Sequence, residues 1–203
     1  MNVLIIDSGS GNLSAIENIL RRLRIDYLTS SDPKTLRDFS HLILPGVGSF
    51  DSVMSSIMEK KLFDPIKEAV ENDNSKLLGI CVGMQILANK SEEGNLPGLD
   101  LIGGEVKKFN RNNTKVLPHM GWNNIIPVRE NYILSGIDLY QGFYFLHSYY
   151  FEPYQEVSII ANSDYGIEFS CIIKNKNIIG VQFHPEKSHL NGIKIFENFL
   201  ELS

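Results

Sequence analysis

The chain has 203 residues, 19 Lys+Arg against 24 Asp+Glu for a formal charge of −5, and two cysteines, Cys81 and Cys171. That length buries a core without staples, and two cysteines so far apart form no C-x-x-C zinc pair, which excludes disulfide scaffolds and small zinc modules. The acidic balance leaves no footprint for nucleic acid, and no stretch approaches the roughly 18 apolar residues of a membrane span, so a soluble, cytoplasmic protein is expected.

Val3 to Ile6 is a short apolar run closed by Asp7 and the cluster Ser8-Gly9-Ser10-Gly11-Asn12, which predicts a buried strand entering a tight turn. Leu13, Ile16, Leu20 and Leu23 recur at helical spacing, so residues 12–23 form a helix with one face on a sheet. His41 to Leu44 is a second strand, broken by Pro45-Gly46-Val47-Gly48. Phe50, Val53, Met54, Ile57 and Met58 mark the helix that follows. Asp64-Pro65 reads as an N-cap with proline at the first helical position, opening a helix near residues 65–72. Lys76 to Ile80 is a third buried strand, and a helix is expected over Met84 to Lys90, just after Cys81-Val82-Gly83.

Strands alternating with helices argue for a parallel sheet covered on both faces. Beyond residue 98 the texture changes to short β-rich segments around 101–109, 115–126, 143–150, 157–162, 168–174 and 177–183, which predicts a mixed or antiparallel portion. A last helix carries Leu190, Ile193, Phe196, Phe199 and Leu200. With no repeat, low-complexity tract or linker, residues 1–203 read as one domain.

Chemistry concentrates at Gly79-Ile80-Cys81-Val82-Gly83, a Gly-x-Cys-x-Gly on a strand-to-helix junction. This is the thiol form of a nucleophile elbow. A sharp turn strains the central residue, flanking glycines prevent clashes, and the helix N-terminus offers the Val82 amide to an oxyanion. The competing reading is a buried cysteine acting as a small hydrophobe. A nucleophilic thiol needs a base oriented by a third group. A strand over Ile178 to Phe183 delivers His184 to a loop in which Pro185 stops the ladder and Glu186 sits beside the imidazole. The glycines around Val47 leave its backbone free to approach a ligand as a second oxyanion donor. Cys171, in the strand Phe169-Ser170-Cys171-Ile172-Ile173, has no basic neighbour in sequence and is read as structural.

Gly79-Ile80-Cys81-Val82-Gly83-Met84-Gln85, Pro45-Gly46-Val47-Gly48 and Gly180-Val181-Gln182-Phe183-His184-Pro185-Glu186 together resemble the class I (triad) glutamine amidotransferases. More narrowly, Pro118-His119-Met120-Gly121-Trp122-Asn123, His147-Ser148-Tyr149 and His184-Pro185-Glu186-Lys187-Ser188 are similar to the glutaminase subunits of imidazole glycerol phosphate synthases. The match runs from Asp7 to the final helix. It implies a flavodoxin-like three-layer α/β/α fold with a mostly parallel central sheet and an additional antiparallel portion.

The resemblance also implies that Cys81, His184 and Glu186 hydrolyse L-glutamine to glutamate and ammonia through a thioester, with no cofactor and no metal. It assigns the oxyanion hole to the amides of Val47 and Val82, and substrate contacts to Gly46, Gly48, Gln85, Glu93, Ser148 and Tyr149. A chain occupied throughout by the glutaminase leaves no acceptor domain, so ammonia is expected to pass to a partner. In the family that partner is a (β/α)8-barrel cyclase in a heterodimer, and Asn12, Trp122, Tyr144 and Lys187 match its interface.

Two positions depart from the pattern. Ser8 stands where the family often has tyrosine, and His189 is similar to a paralogous branch that supplies ammonia for amidino-modified surface sugars. Histidine biosynthesis is the preferred pathway and the surface-sugar branch its alternative. A stand-alone cysteine hydrolase and a non-enzymatic flavodoxin-like binding module are the rivals from other classes.

Overall fold

The structure is a computed structural model and describes residues 2–71, 75–110 and 116–201. Strand β1 (Val3–Ile6) is buried at every position and leads into helix α1 (Leu13–Arg22), which buries Ile16 and Leu20 and carries Arg21 and Arg22 in its last turn. There they face the negative end of the helix dipole. β2 (Tyr27–Ser30) follows, then β3 (His41–Gly46) and α2 (Phe50–Glu59), whose first turn is capped by Ser49 Oγ accepting from Ser52 N at 3.3 Å. α3 (Phe63–Val70), β4 (Lys76–Cys81) and the single turn α4 (Val82–Gln85) complete the first half.

The second half is β-rich: β5 (Lys90–Ser91), β6 (Gly104–Lys108), β7 (His119–Asn123), β8 (Ile126–Pro127), β9 (Phe143–His147), β10 (Tyr149–Pro153), β11 (Ile159–Asp164), β12 (Glu168–Asn175) and β13 (Ile178–Val181), before α5 (His189–Leu200).

Among the described residues one sheet runs in the order β2-β1-β3-β4-β13-β12-β10-β6-β5, with β11 and β8 branching from β12. The block from β2 to β13 is parallel, and β12 turns the sheet antiparallel. β1, β3 and β13 are buried at every position, so both faces of the block are covered, as a three-layer α/β/α arrangement requires. β7 and β9 form a separate antiparallel pair.

The position of β13 decides the site. Residues far apart in sequence, at the ends of β4 and β13, emerge side by side because Val181 is in register with Ile80. β3 lies on the other flank of β4, with Gly46 opposite Cys81.

Several elements depart from the sequence expectations. The helix expected over 84–90 is one turn, because the carbonyls of Ile86, Leu87 and Ala88 accept from Leu99, Leu101 and Asp100 instead of continuing the helix. Gly98 permits this approach: a Cβ there would lie 1.9 Å from Ala88 O. α3 starts at Phe63 rather than at an Asp64 cap, and Pro65 sits in its first turn, where no helical N–H is required. β2 carried no sequence signal, since it is a half-exposed edge strand without alternation. The segment 143–150 splits at Ser148 into β9 and β10. Residue 72 of the expected third helix and residue 115 of the 115–126 segment lie outside the described residues.

Candidate active site

Cys81 occupies the end of β4 with φ 55° and ψ −112°, a conformation costly for any residue with a Cβ. The glycines around it are sterically dictated. A Cβ on Gly79 would lie 2.6 Å from Gly83 O, one on Gly83 1.9 Å from Leu44 O, and one on Gly46 2.6 Å from Gly83 N. The elbow and the end of β3 are thus pressed backbone to backbone. This brings Gly46 and the amide-bearing Val82 together, while Val47 just beyond stays 42% exposed and Gly48 adopts φ 101°.

His184 and Glu186 meet as the sequence predicts. His184 Nδ1 is 2.9 Å from Glu186 Oε1, and both side chains are buried. With Nδ1 occupied, Nε2 is the ring nitrogen left for the thiol. The turn is anchored from β9: His184 N donates to Tyr144 O at 2.8 Å, and Tyr144 N donates to Ser188 Oγ at 3.0 Å. Gly192 seats α5 against it, since a Cβ there would lie 1.8 Å from Pro185 O.

Burial opposes a charge on His184, yet hydrogen bonds and opposite charge from Cys81 and Glu186 outweigh it and raise its pKa to about 10. The ordinary value is 6.5. A folded-state pKa above the unfolded one means that this group's stabilisation is complete below pH 6.5 and lost as pH rises through about 10. We expect the urea midpoint to fall across that window and the decline to flatten in His184→Gln. Equal slopes for wild type and variant would contradict the assignment.

His147, also buried, behaves oppositely. Burial pushes its pKa down to about 3 against the opposing bond to Tyr149 O, with the charges of His119 and His184 lowering it further. Its Nδ1 donates to Tyr149 O at 2.8 Å, so its Nε2 accepts from His119 Nδ1 at 2.9 Å. Burial likewise lowers His119, to about 4. The two rings are a neutral pair, with His119 stacked between Phe145 and Tyr165.

The expected substrate contacts are placed unequally. Gln85 is buried and turns its amide nitrogen inward, to Tyr149 O at 2.9 Å and Gln182 Oε1 at 3.1 Å. Glu93 Oε2 accepts from Phe50 N at 2.8 Å, holding the start of α2 just after the Val47 loop. Burial raises the Glu93 pKa, the Phe50 bond opposes this, Asp51 adds to it and Lys108 counters it. Asp51 reciprocates by accepting from Asn95 N and Leu96 N. Ser148, between β9 and β10, and Tyr149, the first residue of β10, are half-buried.

Of the expected interface residues, three form an aromatic and cationic ladder beside the His-Pro-Glu turn. Lys187 Nζ lies 5.5 Å from the Tyr144 ring centroid, Tyr144 lies edge-on to Trp122 at 6.3 Å, and Trp122 stacks on His189 at 5.1 Å. Asn12 stands apart from it, at the N-cap of α1 without a side-chain capping bond. Ser8 is fully buried, and its Oγ donates to Pro45 O at 3.4 Å.

Sequence reading missed the role of Gln182, which contacts Cys81 Sγ. The signal for it is a polar residue directly after the apolar run Ile178–Val181 and two before His184. Cys171 is buried in β12, its thiol donating to Ala161 O at 3.4 Å, and burial pushes its pKa well up. Among the described residues no cluster of three or more His, Cys, Asp or Glu is placed to hold a metal ion, and no helix is long and apolar enough to cross a membrane.

A family model described as "Glutamine amidotransferase class-I" matches residues 4–202. The chain is 44% identical over 201 residues to the imidazole glycerol phosphate synthase subunit HisH of Leptospira interrogans, covering 98% of each chain. It is 42% identical over 204 residues to the HisH subunit of Bdellovibrio bacteriovorus, covering 98% of this chain and all of the other. A solved glutamine amidotransferase superposes with TM-score 0.74 at 20% identity, covering 98% of this chain and 97% of that one, which shows the fold.

Proposed function

Because the chain belongs to the class I glutamine amidotransferase family, we propose that it is the glutaminase subunit of an imidazole glycerol phosphate synthase in histidine biosynthesis, with Cys81, His184 and Glu186 as its catalytic triad. The observation that carries the site reading is the buried His184–Glu186 pair, its Nδ1 and Oε1 2.9 Å apart, brought to a cysteine in strained backbone.

The Cys81 sulfur attacks the carbonyl carbon of the glutamine side-chain amide. The C–S bond forms as the C=O π pair moves to oxygen, and the N–H groups of Val82 and Val47 receive the oxyanion. Collapse breaks the C–N bond, and His184 delivers a proton to the departing ammonia while Glu186 keeps its ring in one tautomer. Water, deprotonated by the same imidazole, then hydrolyses the thioester to glutamate. Glu93 offers a carboxylate to the substrate ammonium, with Gly46, Gly48, Gln85, Ser148 and Tyr149 shaping its cradle.

Ammonia passes to a (β/α)8-barrel cyclase in a cytoplasmic heterodimer that docks over Asn12, Trp122, Tyr144 and Lys187. The exposed apolar surface of Val47, Met120 and Trp122 supports that placement. One continuous sheet running through both halves supports reading residues 1–203 as a single glutaminase domain.

A glutamine-mimicking diazo-ketone is expected to form its adduct on Cys81 and to abolish ammonia release by the chain mixed with a barrel cyclase. No adduct on Cys81 even with the cyclase present would overturn the reading and favour a non-enzymatic binding module.

A further inference from the structure

We propose that Gln182 is a further catalytic residue, one that donates an amide N–H to the Cys81 sulfur and so holds its anionic form. The proposal rests on the reading of Cys81 as the nucleophile and adds a residue to it.

Two polar groups other than the triad imidazole lie against the sulfur: Leu146 O at 3.8 Å and Gln182 Nε2 at 3.8 Å. The carbonyl accepts from a neutral thiol but opposes an anion, so of the two only the amide favours the form that attacks. Gln182 is fully buried, immediately after β13 and two residues before His184, so this donor acts away from bulk water.

Which end of the Gln182 amide faces the sulfur follows from counting hydrogens. Tyr149 O accepts from both His147 Nδ1 at 2.8 Å and Gln85 Nε2 at 2.9 Å. The second hydrogen on Gln85 Nε2 goes to Gln182 Oε1 at 3.1 Å. An amide whose oxygen receives that bond turns its NH2 group the other way, toward Cys81. Gln85, itself oriented by the Tyr149 carbonyl, is therefore a positioning residue that sets the polarity of the Gln182 amide. During attack the Gln182 hydrogen stays on nitrogen. The sulfur pair forms the C–S bond, and the donor loses its anionic acceptor as the thioester forms.

The test is the pH dependence of iodoacetamide alkylation of Cys81 in the full chain, read by peptide mass spectrometry with buried Cys171 as internal reference. Gln182→Met is expected to move the pH midpoint of alkylation up by about one unit. With the cyclase present it should lower kcat/KM about 10-fold to 100-fold, the range for losing a hydrogen bond to a charged group. Gln182→Glu keeps the size and the acceptor for Gln85 but replaces the donor with oxygen, and should move the midpoint further. It also carries the test if the methionine variant fails to fold.

Folded variants that follow the wild-type alkylation profile would overturn the role of Gln182 while leaving Cys81 as nucleophile. A wild-type Cys81 that takes no diazo-ketone would overturn the nucleophile reading itself, and the role of Gln182 with it.

Discussion

Cys81→Ser is expected to lower glutamine turnover by about 10⁴-fold or more, measured as glutamate formed by the chain mixed with a barrel cyclase, as when a triad nucleophile is removed. A hydroxyl cannot replace the sulfur, because the high pKa of His184 depends in part on Cys81 itself, and serine, far less acidic than a thiol, does not supply the anion that pairs with the imidazolium. Such a ring serves a nucleophile that forms an ion pair with it, whereas serine requires a neutral imidazole as base.

The same position stores backbone strain. At φ 55° and ψ −112° Cys81 bears a cost of about 1–3 kcal/mol that glycine would not. Cys81→Gly should therefore be inactive yet more stable to urea than Cys81→Ser, by about 1 kcal/mol once the greater unfolded-state entropy of glycine is counted. A glycine variant no more stable than the serine variant would show that the elbow is not strained, and a serine variant retaining substantial turnover would remove Cys81 from the mechanism.

Gly83→Ala is expected to cost about 3 kcal/mol or more of stability, the upper range for forcing atoms into a packed interior. Its Cβ would lie 1.9 Å from Leu44 O and 3.0 Å from Leu44 C. Those are backbone atoms of a central strand hydrogen-bonded on both flanks, so no rotamer change relieves the overlap. The strand that must shift ends in Gly46 and leads to Val47, so activity should fall with stability.

Gly48→Ala is the control. Nothing lies within 4 Å of a Cβ there, but φ is 101°, so only backbone strain of about 1 kcal/mol is expected. Urea denaturation of both variants measures the difference. A Gly83→Ala chain as stable as wild type would mean that the contact between β3 and the elbow is not tight in solution.

Much of the site was legible because its requirements are local. A strained cysteine needs small neighbours at fixed offsets, which Gly79 and Gly83 display, and the proline in His184-Pro185-Glu186 confines imidazole and carboxylate to one turn. The buried strands β1, β3 and β4 announced themselves as apolar runs. β2 did not, because an edge strand half open to water needs no apolar pattern. The short α4 escaped for a different reason. Its apolar periodicity continues, but the carbonyls that would extend it are taken by residues 99–102, a competition invisible within the segment.

The chain alone determined which chemistry was on offer: a thiol at a glycine-bounded elbow, an imidazole with its carboxylate, and a parallel sheet to carry them, all properties of spacing and residue type. Only the tertiary structure decided that β13 inserts beside β4, so that His184 arrives at Cys81 from about a hundred residues away. It also decided that Gln85 turns inward to orient Gln182 and that Glu93 ties the start of α2. These are long-range hydrogen bonds, and an amide or carboxylate shows no direction in sequence. Its partners are selected when the sheet assembles and each buried donor must find an acceptor.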